Sequence, residues 1–189
     1  MRKLLVTGGT VFVSRYIAEY FAKKGDAVSV LNRNRHPQPK RTDLIEADRH
    51  HLEDILRQQS FDAVLDVTAY TGTDVCSLLD GLGTAQGQIG DYVLISSSAV
   101  YPETLPQPFR ETQQTGANKY WGAYGVNKIA AEEELLRRVP DAYILRPPYL
   151  YGPMNNIYRE AFVFECADNR RKFYLPGDGG MKLQFFHVC

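Results

Sequence analysis

The sequence predicts an α/β protein: a doubly wound, mostly parallel sheet with helices on both faces. Three observations predict it. Short apolar runs alternate with amphipathic stretches from one end of the chain to the other. The first run, Leu4-Leu5-Val6, passes directly into Thr7-Gly8-Gly9-Thr10. A later run ends in Ser96-Ser97-Ser98 and is followed by Tyr124-Gly-Val-Asn-Lys128.

Lys3 to Val6 reads as the first strand, apolar without alternation and therefore buried on both faces. Val13, Tyr16, Ile17, Tyr20 and Phe21 recur at helical spacing over Phe12 to Lys24, and Gly25 stops that helix. Ala27 to Leu31 and Leu44 to Ala47 are the second and third strands. His51 to Gln58 is expected to be a helix with Leu52, Ile55 and Leu56 turned inward. Asp62 to Val67 is the fourth strand, Thr73 to Leu82 a helix, and Tyr92 to Ser96 the fifth strand. Pro102 to Tyr120 holds prolines and no periodicity, so it is a long loop of the kind that usually serves function. Tyr124 to Arg138 is rich in Ala, Glu and Leu and is the strongest helix. Ala142 to Arg146 is the sixth strand and Arg159 to Asn169 a last helix.

A chain of 189 residues suits one sizeable core. Lys plus Arg and Asp plus Glu balance at 22 each, so bulk charge marks neither a nucleic-acid nor a membrane partner. No apolar run reaches the roughly 18 residues of a membrane span, and Met1-Arg2-Lys3 enters a strand too short for a signal peptide. Cys76, Cys166 and Cys189 form no Cys-x-x-Cys, which argues against a zinc site or disulfide framework and for a reduced, cytoplasmic protein. Adjacent His50 and His51 point in different directions on a helix and read as a helix start, with no metal expected. His187, in an apolar strand, reads as a core histidine.

A strand that runs through glycines into a helix offers free backbone N–H groups to a phosphate. A tyrosine and lysine four apart share one helix face, and a serine closing the neighbouring strand completes a proton-transfer site. Together these segments resemble the short-chain dehydrogenase/reductase superfamily. The resemblance is to its extended NAD-dependent epimerase/dehydratase family, with an atypical glycine loop, and covers essentially the whole chain. It implies a Rossmann-like sheet with NAD or NADP across the carboxyl ends of the strands, near Gly8, Asp48, Ala69 and Ser97.

In the family's usual loop, Thr-Gly-x-x-Gly-x-x-Gly, Thr7 and Gly8 match, whereas Val11 and Ser14 replace the later glycines. Val11 is β-branched and disfavours a positive φ. Thr7 to Phe12 also resembles the Thr-Gly-Gly-Thr-x-Phe of an atypical subgroup that includes chloroplast stem-loop RNA-binding proteins. The resemblance places Thr7, Gly8, Thr10, Val11 and Phe12 at the cofactor. Where NAD-binding relatives carry an acid, this chain has Asn32 and then Arg33, which leans toward NADP through a 2′-phosphate on Arg33. Asp48 matches an acid at the adenine, with Arg49 beside it. Thr68, Ala69 and Tyr70 match the turn after the fourth strand, and Pro147 lies in Arg146-Pro-Pro-Tyr-Leu-Tyr-Gly-Pro153, which resembles a segment near the nicotinamide.

The resemblance makes Ser97, Tyr124 and Lys128 catalytic, with Lys128 also at the nicotinamide ribose. An ammonium beside Tyr124 would favour its phenolate. The implied function is an epimerase or reductase acting on a nucleotide sugar. Dehydration is disfavoured because Ser98-Ala99 stands where dehydratases carry Asp-Glu. The alternative is a non-catalytic NAD(P)- or RNA-binding protein, with nucleic acid opposed by the zero net charge. A homodimer through the helices at 73–82 and 124–138 is expected. Residues 1–152 would be the cofactor-binding domain and 153–189 the start of a substrate lobe. Pro176-Gly-Asp-Gly179 resembles a loop on the substrate side. The chain stops within Phe185-Phe-His-Val-Cys189, and relatives continue beyond it. The expectation is therefore an open cleft beside Tyr124, cofactor binding, and poor substrate binding.

Overall fold

The computed structural model describes residues 1–83, 89–175, 177–180 and 183–189. Pro176 of the expected substrate-side loop lies outside them. Six parallel strands form one sheet in the order β3-β2-β1-β4-β5-β6. They are β1 (Lys3–Thr7), β2 (Ala27–Asn32), β3 (Asp43–Glu46), β4 (Phe61–Asp66), β5 (Ile89–Ile95) and β6 (Tyr143–Leu145). This is the doubly wound, Rossmann-like order, with its crevice where the strand order reverses between β1 and β4.

Successive residues of β1 feed opposite layers, as strand geometry requires. Leu4 and Val6 pack with Val28, Val30 and Leu65 against Ala18 and Ala22 of α1 (Phe12–Lys23). Leu5 packs with Val64, Tyr92 and Leu94 on the other face. There it meets Val75, Leu78 and Leu82 of α2 (Gly72–Leu82) and Ala131 and Leu135 of α3 (Ala123–Arg138). Thr71 and Asp74 close a reciprocal capping box on α2, which fixes where that helix begins.

Residues 51–58 do not form the expected helix. Leu52 and Leu56 are buried as anticipated, yet Ile55 is exposed and Glu53 has φ 45°. The segment is a run of turns closed by bonds such as Ile55 N–H to the Leu52 carbonyl at 2.9 Å. A left-handed residue cannot sit inside an α-helix, so the apolar spacing is met by turns instead. A second small sheet, unanticipated, pairs β7 (Tyr149–Tyr151) in parallel with β8 (Phe185–His187) and crosses the expected boundary at 152. His187 is exposed rather than core. It packs edge-on against Tyr151 at 5.0 Å and accepts from the Cys189 N–H at 3.2 Å. The last helix, α4, runs Glu160–Asp168. No helix among the described residues is long and apolar enough to cross a membrane.

Candidate active site

At the carboxyl end of β1, Gly8 and Gly9 take φ of 84° and 81°. A side chain at Gly8 would meet Thr68 Cγ2 at 2.9 Å, and one at Gly9 would meet Val30 Cγ1 at 2.5 Å. Only glycine fits both the conformation and the space. The turn is held by Gly8 N–H donating to the Leu31 carbonyl (2.9 Å) and by Asn32 Nδ2 donating to the Gly8 carbonyl (2.7 Å). Val11 then caps α1 in extended backbone, φ −131° and ψ 136°. The positive φ falls on Phe12 (41°) instead, so the β-branched residue is unstrained. α1 has no side-chain cap and no acid in its first turn. Its first N–H groups therefore present positive partial charge with no side-chain acceptor of their own. These features fit a dinucleotide's phosphates.

Beneath this loop lies a buried polar network. Asp66, fully buried at the end of β4, accepts from Thr7 Oγ1 (2.8 Å), Tyr92 OH (2.7 Å) and both terminal nitrogens of Arg49 (3.1 and 3.0 Å). Thr7 Oγ1 in turn accepts from the Val67 and Thr68 N–H groups. Arg49 also donates to Thr68 Oγ1 (3.1 Å) and to the Asp74 carbonyl (2.7 Å). Burial, then Asp66 beside it, holds the Tyr92 phenol well above its usual range. Arg49 thus turns inward and ties the 47–50 segment to β4 and α2. Asp48 stays at the surface with Arg33 Nη1 3.7 Å away, and the His50 N–H bond and Arg33 hold its carboxyl below the usual range.

Along α3, Tyr124, Lys128 and Glu132 fall on one stripe. Lys128 is buried, and its Nζ donates to the Ala69 carbonyl at 2.6 Å and the Ile95 carbonyl at 2.9 Å. It sits 4.9 Å from the centre of the Tyr70 ring. Burial lowers its pKa to about 8, against the pull of Asp66, Asp74 and Glu132. Tyr124 is half-buried. Burial raises its pKa and a hydrogen bond from Ser97 works the other way. The expected Lys128–phenolate contact is absent from this arrangement. The ammonium is committed to two carbonyls, and Tyr124 keeps its proton at neutral pH.

Behind Ser97, Ser96 Oγ donates to Glu132, and Arg146 grips the same carboxylate at 2.6 Å. Arg146 Nη1 also donates to Tyr101 OH at 2.8 Å. Ser98 N–H donates to the Pro147 carbonyl at 3.0 Å. The ends of β5 and β6 are thereby pinned to α3. Hydrogen bonds and direct contacts link most of the residues singled out in the sequence along the carboxyl edge of the sheet. Asn32, Gly8, Thr7, Thr68 and Arg49 form one group. Ala69, Tyr70, Lys128, Tyr124, Ser97 and Pro147 form another, and the Arg33–Asp48 pair stands at the outer rim. Thr10, Val11 and Phe12 follow at the start of α1. Gly9, Asp66, Ser96, Glu132 and Arg146 were missed. Gly9 alone carried a signal, as a second consecutive glycine in the turn. Among the described residues, no group of three or more His, Cys, Asp or Glu is placed to hold a metal ion. His50 instead lies between Asp74 (3.0 Å) and Ser77 (3.3 Å).

A family model for the NAD dependent epimerase/dehydratase family matches residues 4–189. The chain belongs to this family. Among solved structures it resembles UDP-N-acetylglucosamine 4-epimerase from Bacillus cereus, with a TM-score of 0.80 at 23% identity, covering 100% of this chain and 68% of that one. UDP-glucose 4-epimerase from Thermotoga maritima gives 0.81 at 17% identity, covering 98% and 69%. UDP-glucuronic acid 4-epimerase from Bacillus cereus, solved with UDP-glucuronic acid and NAD, gives 0.75 at 19%, covering 98% and 69%. At these identities the likeness is one of fold. A curated relative, chloroplast stem-loop binding protein of 41 kDa b from Arabidopsis thaliana, is 24% identical over 206 residues. The match covers 99% of this chain and about half (52%) of that protein.

Proposed function

We propose that this family member is an NAD(P)-dependent epimerase or reductase of nucleotide sugars, with Ser97, Tyr124 and Lys128 as its catalytic groups. The observation that carries the reading is Tyr124 beside Ser97 and on the same helix face as Lys128, a buried lysine fixed by the Ala69 and Ile95 carbonyls. The cofactor, when bound, accepts or returns a hydride. The chain's own residues handle the proton. The Tyr124 hydroxyl delivers it to, or takes it from, the sugar oxygen, and Ser97 orients that oxygen by a second hydrogen bond. Lys128, fixed by Ala69 and Ile95, supplies positive charge beneath the site and reaches the ribose. The glycine turn and the N-terminus of α1 seat the pyrophosphate. Arg33 turns from Asp48 to the 2′-phosphate, favouring NADP by about 1 kcal/mol. In this reading residues 1–152 hold the cofactor and the catalytic groups, 153–189 begin the substrate lobe, and two copies pair through α2 and α3.

Calorimetric titration of the purified chain with NAD, NADP and a stem-loop RNA tests the reading. Either dinucleotide should bind at micromolar to submillimolar concentration and the RNA should not. RNA binding without dinucleotide binding would establish the second reading, which the name of the Arabidopsis relative favours. Sedimentation at micromolar concentration tests the dimer, and a monomer would remove it.

A further inference from the structure

Aromatic rings line the approach to Tyr124. Tyr70 and Tyr124 lie 6.5 Å apart at 52°, Trp121 and Tyr124 6.0 Å apart at 53°, and Trp121 and Tyr149 5.9 Å apart at 51°. Each step tilts by a similar angle, so the rings make a faceted wall. Trp121 and Tyr124 keep ring surface open, whereas Tyr149 is also stacked on Phe185 at 5.5 Å and 29°. Tyr124 is 38% and Trp121 40% exposed. Half-open aromatics side by side, next to a candidate catalytic group, mark a ligand surface rather than scattered exposure. The wall ends in charge: the Arg159 guanidinium lies 4.8 Å from the Tyr149 ring centre, with Nη1 donating to the Leu150 carbonyl at 3.4 Å.

The order of these groups selects the ligand. The apolar C–H face of a pyranose suits an open aromatic face, and the spacing from Tyr124 to Trp121 is about one sugar ring. A sugar whose reacting hydroxyl lies at Tyr124 therefore covers Trp121 and carries its substituents toward Tyr149 and Arg159. A guanidinium stacked on an aromatic ring is a preorganised receptor for phosphate. We propose that Trp121 forms a stacking platform, and Arg159, braced on the Tyr149 ring, an anion seat, for the glycosyl-phosphate part of the substrate. These residues would set specificity beyond Ser97, Tyr124 and Lys128. The inference rests on reading Tyr124 as the proton carrier.

The protein has a single tryptophan, so its emission reports Trp121 directly. The full chain is titrated with UDP-glucose, glucose 1-phosphate, UDP, glucose and inorganic phosphate, with NAD affinity measured alongside by calorimetry. UDP-glucose and glucose 1-phosphate should each give a saturable change in emission, and glucose or phosphate alone should give none in the same range. Arg159→Gln should weaken both responses about tenfold, Arg159→Lys, which keeps the charge but not the stacked fork, should fall between wild type and Arg159→Gln, and Tyr149→Leu should weaken both as Arg159→Gln does. NAD affinity should be unchanged in all three variants, which also shows that they fold. The proposal is overturned if NAD binds but sugar phosphates leave Trp121 unchanged, or if Arg159→Gln responds as wild type. UDP acting as strongly as UDP-glucose would put the nucleotide on the wall and overturn it equally. Failure of the wild-type chain to bind NAD would instead remove the proposed function.

Discussion

Replacing Lys128 with methionine should change how stability depends on pH, by an amount that follows from its burial. The folded pKa is about 8 against 10.5 for a free lysine. Each unit is 1.36 kcal/mol, so holding the ammonium in the folded state costs about 3 kcal/mol at neutral pH. The sign follows from proton counts. Between the two values the unfolded chain binds more protons than the folded one, so unfolding free energy rises with pH. The cost is fully present below pH 8 and is relieved as pH climbs toward 10.5. From pH 7 to pH 9.5 wild type should gain about 2 kcal/mol from this group. Lys128→Met should lose that gain. At pH 7 the variant should lie within about 2 kcal/mol of wild type, because the relieved burial offsets the Ala69 and Ile95 carbonyls left without a donor. Urea denaturation of both proteins at half-unit steps from pH 7 to 9.5 measures the difference. Tyr92 and Tyr124, whose pKa values are raised, affect both proteins alike and cancel in the comparison. Parallel stability profiles for the two proteins would refute the argument.

Tyr124→Phe should abolish turnover on any substrate found while leaving NAD affinity within about twofold, as separate kinetic and calorimetric measurements would show. Glu132→Gln should cost about 3–5 kcal/mol in urea denaturation by stranding Arg146, and the double variant Glu132→Leu/Arg146→Met should recover much of it. Gly9→Ala should lower the melting temperature and weaken dinucleotide binding together, since its methyl would meet Val30 in backbone that only glycine favours. Arg33→Ala should erase any preference for NADP over NAD measured by calorimetry; a preference unchanged in the variant would show that Arg33 does not read the 2′-phosphate.

Much of the sheet was legible because strands buried on both faces read as unbroken apolar runs, as Leu4-Leu5-Val6 and Ala63-Val64-Leu65 do. The 51–58 segment was misread for a related reason. Leu52 and Leu56 need burial whether the backbone between them is helical or turned, and periodicity cannot tell the two apart. The strands β7 and β8 are three residues each, too short to show a period. At the site, Gly8, Tyr124 and Lys128 were visible because their spacing is local. The Arg49–Asp66 and Glu132–Arg146 pairs were not. Each joins charges well separated in sequence, at 17 and 14 residues, and an isolated charge normally reads as solvated surface.

Those two pairs also bear on how Lys128 holds its proton. Three cations lie under the carboxyl ends of the strands, Arg49, Lys128 and Arg146, with three carboxylates, Asp66, Asp74 and Glu132. The arginines take two of the carboxylates at 3.0 and 2.6 Å, and Asp74 is drawn into the capping of α2 and toward His50. Of the three cations, Lys128 is the one whose hydrogen bonds all run to carbonyl oxygens, at Ala69 and Ile95, whereas Arg49 adds the Asp74 carbonyl to its carboxylate. A carbonyl dipole stabilises an ammonium less than a carboxylate does, so burial wins and the proton is loosened toward pH 8. An arginine in the same place would stay charged throughout. With a carboxylate as its partner, the lysine would be locked as an ammonium. The two ion pairs therefore do more than brace the ends of β4, β5 and β6. By engaging the neighbouring carboxylates, they leave the lysine four residues after Tyr124 with a proton that can respond to what binds above it.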